Sequence, residues 1–206
     1  MPTASTPYRP ASSLIDPMRY SRPIRLLHAL IALAITFQLL VSLVMDHPHA
    51  KRPMTETGAF YFRWHEWMGV AAFAVLTLGW IYRIVKWKRE SQGSLFPWTA
   101  SANRQVLATQ TKQFLLLRWM QIPQDGVLVG AVHGLGLLVA SAMALTGVVI
   151  YEMLGPQNSV TPEVHRVMEL HSFLANLMWA YFIGHIAMAC WHQYMGHGAL
   201  ARIFKL

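Results

Sequence analysis

Residues 170–195 read LHSFLANLMWAYFIGHIAMACWHQYM, twenty-six positions without an Asp, Glu, Lys or Arg. A helix needs about 20 predominantly apolar residues to cross a bilayer, so this stretch is long enough. Two of its histidines, His171 and His185, are fourteen residues apart. On an α-helix that spacing rises about 21 Å and returns to nearly the same face. The hydrocarbon core of a bilayer is about 30 Å thick. One helix therefore presents two imidazoles on one side, one toward each membrane face.

Three further apolar stretches lie upstream. The spans expected are Ile24–Met45, Trp64–Tyr82, Val127–Tyr151 and Leu170–Met195. The whole chain has 206 residues, 54% of them hydrophobic and 13% charged. Soluble domains carry about a quarter charged residues, so the class is a membrane protein. Membrane barrels show short alternating segments, which this chain lacks. The expected fold is an all-α membrane protein, a four-transmembrane-helix bundle. Residues 24–206 form one domain behind a polar N-terminal segment, residues 1–23. The first apolar run is too long for a signal-peptide core and is read as a retained helix.

The net charge of +8 raises the question of nucleic acid, but no stacking or groove-reading module is visible. Its distribution instead follows the positive-inside rule. With the N-terminus cytoplasmic, that side holds Arg9, Arg19, Arg22, Arg25, Arg83, Lys86, Lys88, Arg89, Arg104, Lys112, Arg118, Arg202 and Lys205. The opposite side holds only Lys51, Arg52, Arg63 and Arg166. Both termini are then cytoplasmic.

The connection Arg83–Gly126 is long. Asn103 is a candidate helix cap for a segment reaching about Met120. Val106, Leu107, Phe114, Leu117 and Met120 alternate there with Arg104, Gln110, Lys112 and Arg118. This reads as a cytoplasmic amphipathic helix on the membrane surface, with a partner dock as the alternative. Pro156 and Pro162 are expected to end the neighbouring helices in the short acidic third loop.

Depth sorts the histidines. His28 and His185 fall near the cytoplasmic face; His65 opens the second helix and His171 the fourth, near the external face. Each pair places two imidazoles from two helices at one level, which is bis-histidine haem ligation inside a four-helix bundle. An isolated intramembrane histidine could be a packing hydrogen bonder. Four at two matching depths point to two haems. With Cys190 the only cysteine and no C-x-x-C-H, the haems would be non-covalent haem b. Haem propionates want cations: Arg22 and Arg25 are placed for the inner haem, Arg63 and Arg166 for the outer. Gly69, Gly134, Gly136 and Gly184 would admit a porphyrin, or simply close helix packing. His133 and His192 lie near the inner level, as contacts to a propionate or quinone headgroup or as competing ligands. His47, His49, His165 and His197 lie in loops or at helix ends.

Arg-Leu-Leu-His at 25–28, His-Glu-Trp-Met-Gly at 65–69, Leu-Thr-Gly-Val-Val-Ile at 145–150 and His171…His185 followed by Trp-His-Gln-Tyr resemble the bacterial cytochrome b561 family. That superfamily includes the membrane cytochrome b subunits of nickel-iron hydrogenases and respiratory formate dehydrogenases. The resemblance covers about residues 18–206. It implies four helices, two b haems, quinone exchange near the inner haem and an inner-membrane location. It makes His28 and His185 the inner ligands, and His65 and His171 the outer. The quinone pocket would lie near Arg25, Gln124, Asp125, His133 and His192. The second loop is longer than in stand-alone members and looks more like the anchor subunits of larger dehydrogenases. The leading expectation is a respiratory-chain subunit passing electrons between the quinone pool and a redox protein partner. The alternative is a stand-alone oxidoreductase that oxidises superoxide and reduces ubiquinone. Lys51, Arg52, Arg63 and Arg166 could steer an anion, but Asp46, Glu56, Glu66, Glu152, Glu163 and Glu169 outnumber them on that side. A third class, a histidine-lined metal carrier or structural anchor, predicts a colourless protein.

Overall fold

The computed structural model describes residues 21–49, 51–86, 95–116, 118, 126–155, 159–196 and 200. Five α-helices carry these residues: α1 (Arg22–Val41), α2 (Glu56–Lys86), α3 (Ser101–Leu115), α4 (Val127–Leu154) and α5 (Pro162–Tyr194). A 3-10 turn, Pro97–Thr99, precedes α3. No strand occurs among the described residues. Four helices, all but α3, are long and apolar enough to cross a membrane.

Local chemistry sets the helix ends. The Thr55 hydroxyl accepts the Gly58 amide at 3.0 Å and caps α2. It donates in turn to the Asp46 carboxylate at 2.7 Å, which also accepts the Thr55 amide at 2.8 Å. Thr161 caps α5 by accepting the Val164 amide at 3.3 Å. Gly155, at φ 60°, closes α4 in a conformation that favours glycine.

Two expected helix starts move by eight residues, and other ends shift by one to four. α2 begins at Glu56 rather than Trp64, and α5 at Pro162 rather than Leu170. Proline is tolerated in the first helical turn, where its missing amide would have had no partner. Pro162 therefore starts a helix instead of separating two; Pro156 lies outside the described residues. As a result neither His65 nor His171 opens its helix. Each is the tenth residue of its helix.

α3 also differs from expectation. Asn103 lies inside it, and Ala100 precedes it without a side-chain cap. The 3-10 turn already coils the chain, and the Asn103 amide reaches the Ala100 carbonyl at 3.1 Å. The one buried residue of α3 is polar: Gln110, whose Oε1 accepts the Leu128 amide at 2.8 Å in the first turn of α4. Val106, Phe114, Leu115 and Leu116 are exposed, whereas Leu117 and Met120 lie outside the described residues.

Along the bundle α1 packs on α2, α2 on α4 and α4 on α5. One buried cluster joins Leu39, Leu76, Ala140 and Met178 from all four long helices. A second joins Phe62, Leu154 and Val164 near the end that carries His65 and His171. The short non-helical piece before α3 is fixed against α2 and α4. Phe96 stacks on Trp80 with centroids 5.9 Å apart, and the Trp80 indole donates to the Ser141 hydroxyl at 3.0 Å. Gly134 leaves room for the Leu95 carbonyl. The outer surface is apolar, with Leu33 68%, Ile84 70% and Ile183 61% exposed. Each such side chain forgoes about 1.5–3 kcal/mol if left in water, so the bundle is built for lipid.

Candidate functional site

α5 carries the site's axis. His171 and His185 lie on one side of it, and seven residues from each sits Met178, 1% exposed, in the central cluster. His65 from α2 meets His171, and His28 from α1 meets His185. The ring centroids are 6.3 Å apart in both pairs, with interplanar angles of 89° and 45°. His28 and His133 are each the seventh residue of their helices, so they enter at one level.

Each ring is held differently. Nδ1 of His171 lies 2.8 Å from the Thr146 hydroxyl on α4. A Cβ on Gly147 would sit 3.4 Å from the same ring. The His65 carbonyl accepts from the Gln38 amide nitrogen at 2.9 Å, tying α2 to α1. His185 has Tyr181 stacked on it at 5.4 Å and 19°, and His133 edge-on at 5.2 Å and 87°. Gly136 is required beside Tyr181, because a Cβ there would overlap the phenol ring. Nδ1 of His28 and Nδ1 of His65 are buried without a hydrogen-bond partner among the described residues. Buried polar atoms are rarely left so, and such atoms mark a site the polypeptide does not complete alone.

The donor set specifies what fits. Two imidazoles bound on opposite sides of one metal, each about 2 Å from it, have centroids about 6 Å apart. Both pairs meet that spacing. Among the described residues no group of three or more His, Cys, Asp or Glu could hold a metal ion. Paired imidazoles without further donors suit a metal whose other ligands come from its own macrocycle, as in haem.

The remaining expected residues divide. Arg25 is buried on α1, one turn before His28, while Arg22 is exposed. Arg63 is exposed. Arg166 donates to Glu163 at 3.2 Å on its own helix, so an acid beside it already engages the charge. His192 is half-buried in the last turn of α5. Gln124, Asp125 and His197 lie outside the described residues. Gly69 faces the Gln38 side chain, and Gly184 faces open space rather than a packed ring. An open cavity at the His171 end is lined by His47, His49, His165 and Glu169. Thr146, Gly147 and Tyr181 were not legible as site residues; the sequence signals are the position of Thr146 and Gly147 opposite His171 and the four-residue spacing of Tyr181 and His185 on α5.

The profile of the prokaryotic cytochrome b561 family matches residues 19–205. The chain belongs to that family. No curated protein and no solved structure matches it. Family membership brings b-type haem binding and transmembrane electron transfer by a b-type haem protein. Four long apolar helices and two histidine pairs in one member of this family make a multi-pass membrane cytochrome.

Proposed function

We propose that this cytochrome holds two b haems, one between His28 and His185 and one between His65 and His171, and passes electrons across the inner membrane between the quinone pool and a redox partner. The observation that carries this reading is the repeated 6.3 Å pairing, one pair at each end of α5. Bound haem supplies one-electron chemistry; the chain supplies axial ligands, propionate partners and a low-dielectric enclosure. His28, His65, His171 and His185 hold the iron. Arg25, buried one turn from His28, balances propionate charge at that end. Arg22, Arg63 and Arg166 are more exposed and would offer positive charge to the propionates, Arg166 in exchange for its Glu163 contact. Quinone exchanges at the His28/His185 end, near Arg25, His133 and His192. Both termini are cytoplasmic, as the basic residues favour. The long connection between α2 and α4, with its own helix, supports an anchor subunit of the hydrogenase or formate dehydrogenase kind over a self-sufficient enzyme.

A reduced-minus-oxidised spectrum with a pyridine haemochrome ratio tests the cofactor. Two b haems per chain are expected, with His185→Ala and His171→Ala each losing one. A colourless wild-type protein overturns the reading. Quinol-driven haem reduction in membranes tests the exchange, and its absence removes the quinone role.

A further inference from the structure

α4 serves both histidines of α5. Thr146 meets His171, and His133 meets His185. Thirteen residues separate the first members on α4 and fourteen separate the second on α5, the spacing that two antiparallel helices in one register impose.

At His171 the hydrogen bonding is complete. The Thr146 hydroxyl donates to the Ala142 carbonyl at 2.9 Å or the Met143 carbonyl at 3.0 Å. With its proton on either carbonyl, its oxygen accepts Nδ1–H of His171 at 2.8 Å, the tautomer that ligation through Nε2 requires. That tautomer leaves Nε2 of His171 with a lone pair.

At His185 the same parts are present in different chemistry. Nδ1 of His133 lies 2.7 Å from the Val129 carbonyl. A carbonyl only accepts, so Nδ1 carries the proton and Nε2 of His133 holds the lone pair. The ring meets His185 edge-on, with centroids 5.2 Å apart. A hydrogen bond of about 3 Å between two ring nitrogens separates the centroids by about 5 Å. Tyr181, stacked on His185 and backed by Gly136, limits the swing of that ring.

We infer that His133 is the positioning residue of the His28/His185 centre: the two rings touch without a hydrogen bond as they stand, and when the centre is loaded Nε2 of His133 accepts Nδ1–H of His185, the role Thr146 has at His171. The inference rests on the proposed haem ligation by His171 and His185. Metal-bound histidines almost always give their other ring N–H to an acceptor, which orients the ring and raises its basicity. An imidazole nitrogen is a stronger acceptor than an alcohol oxygen, so this contact donates more electron density to the centre it serves. It lowers the potential of the inner haem relative to the outer one.

The test is a potentiometric titration of purified, haem-loaded protein, with low-temperature EPR of the two low-spin signals. His133→Leu is expected to raise the inner midpoint potential and shift that centre's g-values, leaving the outer centre unchanged. His133→Gln, which keeps an acceptor, restores both toward wild type. Thr146→Val shifts the outer centre alone, and by less. If His133→Leu loses the inner haem, retention of that haem in His133→Gln supports positioning. Loss in both variants makes His133 a ligand and overturns the inference. Unshifted potential and g-values in both variants also overturn it. The His185→Ala control separates these results from failure of the ligand assignment itself: if that variant keeps both haems, the reading of the site has failed, not the role of His133.

Discussion

Two glycines on α4 show how one methyl group separates packing from binding. At Gly136 a Cβ would overlap three atoms of the Tyr181 ring, and Tyr181 stacks on His185. Forcing an atom into a packed site costs about 1–3 kcal/mol. Gly136→Ala is expected to lower the thermal midpoint in detergent and to perturb the spectrum of the inner haem alone. At Gly147 a Cβ would stand 3.4 Å from His171, at the edge of ordinary contact. Gly147→Ala is expected to keep both haems and wild-type spectra; loss of the outer haem there would show that the ring has no slack. The histidines were legible in the sequence because a polar ring inside an apolar stretch is costly and must have a use. Gly147, Thr146 and Tyr181 were not, because none is unusual in a membrane helix. The roles of Thr146 and Gly147 exist only once α4 is set in register against α5, whereas Tyr181 meets His185 one turn away on α5 itself.

The element ends are held by a few polar side chains. At α2 the Gly58 amide, the Thr55 hydroxyl and the Asp46 carboxylate form one chain of hydrogen bonds. Thr55→Ala removes the cap and is expected to cost about 1 kcal/mol, read as a lower thermal midpoint. The hydrogen bond from the Thr55 hydroxyl, then that from its amide, holds the Asp46 carboxyl below the usual carboxylate range. A carboxyl with a lowered folded-state pKa stabilises above its unfolded pKa, and that contribution disappears as pH falls through the lowered value. Wild type should therefore exceed Asp46→Asn in stability at neutral pH, with the difference shrinking on acidification. A gap that stays constant with pH would refute the assignment. At α4 the Leu128 amide depends on Gln110 of α3. Gln110→Ala strands that amide at a cost of about 1–3 kcal/mol, while Gln110→Glu keeps an acceptor at a helix N-terminus, where negative charge is favoured. Comparing the unfolding midpoints of the two variants checks this. Helix existence was legible from the long apolar runs, but the starts of α2 and α5 were not. Arg63, Pro162 and Glu163 read as loop chemistry in one dimension, yet all three sit inside helices that run past the apolar core. The buried contact of α3 was not legible, because Gln110 makes it with an element eighteen residues away.

Across the whole molecule the packing is uneven along the bundle axis. The central cluster around Met178 lies between the histidine pairs, and the cluster of Phe62, Leu154 and Val164 closes the His65/His171 end. Among the described residues no third buried apolar cluster serves the His28/His185 end. The inward parts there are largely polar, His28, His133, His185 and Arg25, with the Phe96–Trp80 stack and Tyr181 against the central cluster as the apolar contribution, so apolar burial holds this end less than the other. A ligand that binds the folded state alone adds stability in proportion to the logarithm of its occupancy. Under the proposed ligation, haem therefore contributes proportionally more at this end than at the other. Haem-depleted protein should show faster amide exchange first in the N-terminal turns of α1 and in α5 beyond His185. α2 near His65 and the start of α5 should stay protected by the Phe62 cluster. Hydrogen-exchange mass spectrometry of loaded and depleted protein in the same detergent reads this directly. Uniform loosening along α5 would show that the bundle behaves as one cooperative unit. Loosening that starts at His171 would place the weaker half at the opposite end from the one its packing indicates.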